Sequence, residues 1–167
     1  DDAVALASQV GLVSGHNYQI GTTVDTDASR AGDVVNVEAA SNATRTTRVG
    51  LDVPAPFFHA NQYKRLQIPQ NLDNSTLHRT KRAAQLPPPN TPDDILEVLG
   101  DTNDVDGSGR YPIYQGGPRT VVSNHSTFAT ALFDLQAANV RLFLGNPADP
   151  ASLVATRSLR PPLFGAE

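Results

Sequence analysis

The sequence predicts an α+β domain built on mostly antiparallel strands. Strand-like runs come first, two helical segments follow, and strand-like runs return, an order that suits segregated layers better than alternating βαβ units. Neighbouring strand runs are joined by polar turns rich in Asp, Thr, Ser and Gly, as antiparallel connections require. At 167 residues and 39% hydrophobic, the chain has enough apolar material for one domain with a core, and no linker divides it.

Val4, Leu6, Ala7 and Val10 suit a short helical stretch that Gly11 ends. His16-Asn17-Tyr18-Gln19-Ile20 alternates as a strand does, and Val34-Val35-Asn36-Val37 follows a polar segment, so the two read as a hairpin with a long loop. Residues 44–51 alternate Thr and Arg with smaller side chains, the pattern of an edge strand. Pro54 and Pro56 then force an extended approach into residues 57–63, which read as a further strand. Residues 75–86 space Leu77, Ala83, Ala84 and Leu86 as an amphipathic helix that ends at three prolines. Thr91 can cap the next helix, Pro92 suits its first position, Asp93 and Asp94 face its positive end, and Gly100 stops it. Residues 101–117 are polar and glycine-rich, a surface loop. Residues 120–135, 140–144 and 153–159 supply the last strand runs.

Composition excludes several functions. With 13 Lys and Arg against 17 Asp and Glu, no basic surplus exists to neutralise a nucleic-acid backbone. No apolar stretch approaches the ~20 residues a membrane helix needs. Cysteine is absent, so neither a disulfide nor a thiolate nucleophile is available from this chain. Met is absent too, and a chain opening at Asp1 is expected to be a processed product or part of a longer polypeptide.

Several residue patterns carry chemistry on paper. Asp104, Asp106 and Ser108 alternate around Gly107 as the first half of a calcium loop, but the twelfth position is Gln115, which supplies no bidentate carboxylate. An exposed turn is the favoured reading, and no metal is expected. Ser14, His16 and Asp25 lack a nucleophile elbow, and His16, His59, His78 and His125 show no zinc spacing. Sequons at Asn42, Asn74 and Asn124 decide nothing without a secretory context. Asn61, two residues beyond His59 and close behind Phe57 and Phe58, could aim N–H donors at an oxyanion. A buried Asn bonded to its own backbone is the plain alternative, and spacing alone favours it.

Ser14-Gly15-His16-Asn17-Tyr18-Gln19-Ile20, Gly32-Asp33-Val34-Val35-Asn36-Val37-Glu38 and Phe58-His59-Ala60-Asn61-Gln62-Tyr63 stand in an order and spacing that carry a family likeness. Tyr111-Pro112-Ile113-Tyr114, Thr130-Ala131-Leu132-Phe133-Asp134-Leu135 and Leu144-Gly145-Asn146-Pro147 extend it over nearly the whole chain. Together they resemble the C-terminal part of the acyl-coenzyme A:6-aminopenicillanic acid acyltransferase family of autoproteolytic N-terminal-nucleophile enzymes.

The resemblance implies part of an αββα sandwich of two stacked antiparallel sheets, a single partial domain over residues 1–167 whose N-terminal portion lies elsewhere. It also implies attack on amide or thioester acyl groups by an N-terminal Cys whose own amino group is the base. Asn61 matches the oxyanion-stabilising Asn. His59, Phe57, Phe58 and Gln115 fall at pocket positions, and Asn17 and Glu38 at structural ones. No cofactor is implied. The implied partners are the segment or subunit bearing the Cys and a small acyl-amide or acyl-coenzyme A substrate. Gln115 departs from the family, which tends to carry an Arg there, and Arg110 or Arg119 could take its place. Without the Cys this chain alone is expected to be inactive, and the alternative is a non-catalytic αββα module that has lost its nucleophile.

Overall fold

The computed structural model describes residues 2–10, 15–23, 27–116 and 126–160. A short helix α1 (Asp2–Ala7) precedes a meander of β1 (His16–Gly21), β2 (Val34–Ala39) and β3 (Thr44–Val49). Helices α2 (Asn74–Gln85) and α3 (Pro92–Leu99) follow, then a second meander of β4 (Thr130–Asp134), β5 (Asn139–Phe143) and β6 (Leu153–Ser158). Both sheets are antiparallel, with β2 and β5 as the central strands. The molecule is therefore a mixed α+β fold with two small antiparallel sheets, in the order that the sequence predicts.

Local chemistry explains most boundaries. Thr91 accepts the Asp94 N–H and Asp94 returns the bond to the Thr91 N–H, a capping box that starts α3, while Gly100 caps its other end. Asp73 caps α2 by accepting the Thr76 N–H at 2.6 Å. β3 lies at a sheet edge, and exposed Arg45 and Arg48 guard it against further pairing. Of residues 120–135, only Thr130–Asp134 form a described strand.

Two details depart from the sequence reading. Helix α2 does not bury the stripe of Leu77, Ala83 and Ala84; its buried residues are Ser75 and Thr76, so polar bonds rather than hydrocarbon hold it. Residues 57–63 form no strand. Pro54 and Pro56 bring no N–H to a ladder, and the amides of residues 64–66 all turn to one side chain, whereas a strand alternates its N–H directions.

The core is divided. Leu96 of α3 packs with Leu132 and Phe143 on one face of the second sheet. In the first sheet, β2 buries Val35, Val37 and Ala39 on one face and Asn36 and Glu38 on the other. That second face is polar over most of its length: the register sets Asn17 and Arg45 beside Glu38, and Gln19 and Thr47 beside Asn36, with Val34 and Val49 at its end. Strand β1 runs close to the second sheet at its far end, where a Cβ on Gly21 would collide with Leu135.

Candidate functional site

Residues 57–66 are anchored by one carboxylate. Glu38, with no solvent exposure, accepts the backbone N–H groups of Lys64 at 2.6 Å, Arg65 at 2.8 Å and Leu66 at 2.6 Å. His59 Nε2 adds a fourth contact at 2.9 Å. Burial alone would raise the Glu38 pKa, but the bonds from Lys64, His59, Leu66 and Arg65 outweigh it and hold the group below its ordinary value. The other ring nitrogen of His59 lies 2.7 Å from the Ala60 carbonyl. Both ring nitrogens thus lie against oxygen atoms and fix the ring's orientation. Tyr63 fastens the same loop by donating its hydroxyl to the Ala39 carbonyl at 3.1 Å. Gly15 makes room for it, since a Cβ there would fall on the Tyr63 hydroxyl.

This anchoring presents Asn61 at the surface. Its Oδ1 accepts from Arg79 Nη2 at 2.7 Å, and no described residue accepts from its Nδ2. Because a guanidinium only donates, Arg79 fixes which way round the carboxamide sits: oxygen toward α2, amide hydrogens away. Arg79 Nε in turn donates to the carbonyl and the hydroxyl of Ser75, each at 3.2 Å. Burial pulls the Arg79 pKa down and the nearby Asp73 charge opposes this. Gln115 Nε2 donates to the same Ser75 hydroxyl at 3.3 Å. Asn61 and Gln115, far apart in sequence, therefore meet through Arg79 and Ser75.

Arg79 is the residue that sequence reasoning missed. Ser75 and Arg79 stand four apart on a helix and so share a face, a signal available from the sequence. Of the two Arg residues considered in place of the family's Arg, Arg110 makes no bond within this network. Arg110 is exposed, and Arg119 lies outside the described residues, as do Ser14, Asp25, Asn124 and His125.

The other candidates sort themselves around this loop. Phe57 and Phe58 line an open cleft of about 610 Å³ together with Pro54, Gln62, Lys64 and Leu72. His59 is not part of that lining; it belongs to Glu38. Asn17 Oδ1 accepts from Gln19 Nε2 at 2.9 Å. The buried Nδ2 of Asn17 and both carboxamide atoms of Asn36 meet no partner among the described residues.

Asp104 belongs to a separate cluster. One oxygen accepts from His78 Nδ1 and the Val105 N–H, both at 2.7 Å, and the other from the Ser108 hydroxyl and the Tyr111 N–H, both at 2.8 Å. Burial opposes its ionisation, yet these four donors hold its pKa far below the ordinary carboxylate range. His78, Asp104 and Asp106 lie close enough to share an ion. With both Asp104 oxygens engaged, the cluster reads as a loop staple that ties residues 104–111 to α2. Comparison of the chain with family models, curated proteins and solved structures gave no match.

Proposed function

We propose that this chain supplies the oxyanion-binding half of an N-terminal-nucleophile acyltransferase or amidohydrolase, and that the two sheets form part of its αββα sandwich. The observation that carries the reading is the surface carboxamide of Asn61, clamped through its oxygen by Arg79 so that its N–H donors face outward. A donor held in a fixed direction before reaction is what stabilises a developing oxyanion, since no reorganisation is needed as charge appears. The cleft lined by Phe57 and Phe58 opens beside residues 62–65 of the same loop and suits the apolar part of an acyl group.

The nucleophile comes from a partner segment or subunit, because the chain has no cysteine. In the proposed step, the sulfur of an N-terminal Cys attacks the acyl carbonyl while the α-amino group takes its proton. Asn61 Nδ2 donates to the carbonyl oxygen as it becomes negative, the C–N or C–S bond breaks, and the leaving group receives the proton. Water or an amine then takes the acyl group from the sulfur. Arg79 is a positioning residue here, and Glu38 positions the loop.

The test joins this chain to the polypeptide encoded upstream of Asp1 and assays cleavage of acyl amides and thioesters. Asn61→Ala should lower kcat by about 10²–10³-fold with the fold intact. An unchanged kcat would remove Asn61 from the chemistry. An upstream sequence with no cysteine at a processing point would leave the second reading, a non-catalytic αββα module, which Gln115 favours as the departure from the family pattern.

A further inference from the structure

The cleft lined by Phe57 and Phe58 is charged in a way that an acyl pocket does not require. Pro54, Pro56, Phe57, Phe58 and Leu72 make its apolar wall, and among the described residues Lys64 and Arg65 are its only cations and no Asp or Glu lines it. In a chain of net charge -4 such a local balance is not the average surface. Glu38 acts on Lys64 through its charge, but both its oxygens are taken up by backbone amides and His59 and do not line the cleft.

Lys64 is also pre-placed. Its backbone N–H is tied to Glu38 at 2.6 Å, and its ammonium stands 5.6 Å from the Phe57 ring centroid and 6.0 Å from that of Phe58. Burial, with the neighbouring Arg65 charge, pulls its pKa down, a sign that the ammonium is partly stripped of water; the Glu38 charge opposes this. An ammonium held over two rings at the mouth of an apolar cleft is complementary to a ligand with a hydrocarbon body and one anionic end.

We propose that this cleft binds carboxylate-bearing acyl compounds, with Phe57 and Phe58 holding the apolar body and Lys64 pairing with the carboxylate. The link to substrate rests on the acyl-transfer reading above, but the binding itself does not. The distinguishing feature is selection by charge, which hydrophobic packing alone does not produce.

The experiment measures binding, without turnover, by calorimetry on the protein expressed from its full coding sequence. Three probes of nearly equal shape are compared: 4-phenylbutyrate, 4-phenylbutanol and 4-phenylbutylamine. The carboxylate should bind about tenfold tighter than the alcohol, and the amine weaker than both. Lys64→Gln should bring carboxylate and alcohol to equal affinity while leaving alcohol binding intact. If that variant fails to fold, Arg65→Gln, at an exposed rim position, should reduce the preference, and raised salt should do so in the parent. Equal binding of all three probes, or a preference that survives Lys64→Gln, overturns the proposal. Charge selection without acyl transfer would sink the enzymatic reading and leave this site standing; acyl transfer without charge selection would do the reverse.

Discussion

At the scale of the residue, Glu38 is the side chain on which the candidate site depends most. One carboxylate accepts three consecutive backbone amides and an imidazole, and so replaces the ladder that residues 57–66 would otherwise need. Glu38→Gln keeps the volume but puts an NH₂ group against donors, and removal of one member of such a buried set costs about 3 kcal/mol. The pH dependence has a definite sign. The Glu38 pKa is lowered in the folded state, so its stabilisation is present in full above the unfolded carboxylate value and is lost as pH falls through the folded one. Urea unfolding of parent and variant should differ most at about pH 6–7, and the gap should shrink steadily as pH falls below the unfolded carboxylate value of about 4.3. A gap that stays constant down to pH 3 would show that the charge of Glu38 is not what holds the loop. Asp104 is lowered as well, but it is common to both proteins and cancels in the comparison.

At the scale of the element, helix α3 is the clearest case of local sequence deciding structure. Thr91 and Asp94 exchange bonds across the first turn, and Thr91→Ala should cost about 1 kcal/mol, read as a lower urea midpoint with an unchanged slope. Thr91→Ser should restore most of it, and no loss in the Ala variant would mean that the helix start is held by packing. Elements of this kind were legible because cap, proline, acidic first turn and glycine stop lie within ten residues. Strands β1 and β2 were legible through alternation. The loop of residues 57–66 was not, because its backbone bonds run to Glu38 about 26 positions away, and a hydrophobic run ending in polar residues looks like a strand until that partner is known. Helix α2 misled for a related reason. Its apolar residues suggest a buried stripe, whereas the faces that make its contacts are polar: Ser75 and Arg79 reach Asn61 and Gln115, while His78 and Arg82 reach Asp104 and Asp101. The candidate Asn61 was therefore found from its neighbours in sequence, and the Arg79 that orients it only from three-dimensional contact.

At the scale of the whole molecule, among the described residues one face of the second sheet packs on α3 and the other leaves Phe133 exposed. Leu132 and Phe143 pack against Leu96 of α3. By register, Ala131, Phe133, Val140, Leu142 and Ala155 share the opposite face with Arg157, and Phe133 there is 59% exposed. Five apolar side chains on one face are an association surface, since burying them removes hydrocarbon from water at about 25 cal/mol per Å². In a two-sheet sandwich that face would be covered by the other layer, which the proposed partner segment completes. The 167-residue chain expressed alone should therefore self-associate in light scattering and bind a hydrophobic dye. Co-expression with the upstream polypeptide should suppress both. Phe133→Lys, at an exposed position, should reduce self-association of the isolated chain without lowering its melting temperature, and should weaken capture of the partner segment. These outcomes separate a face awaiting its own fold from one that is merely tolerated. A monodisperse isolated chain that melts cooperatively and ignores the dye would show that two small sheets and a divided core suffice, and the sandwich would then have to be abandoned together with the partner it requires.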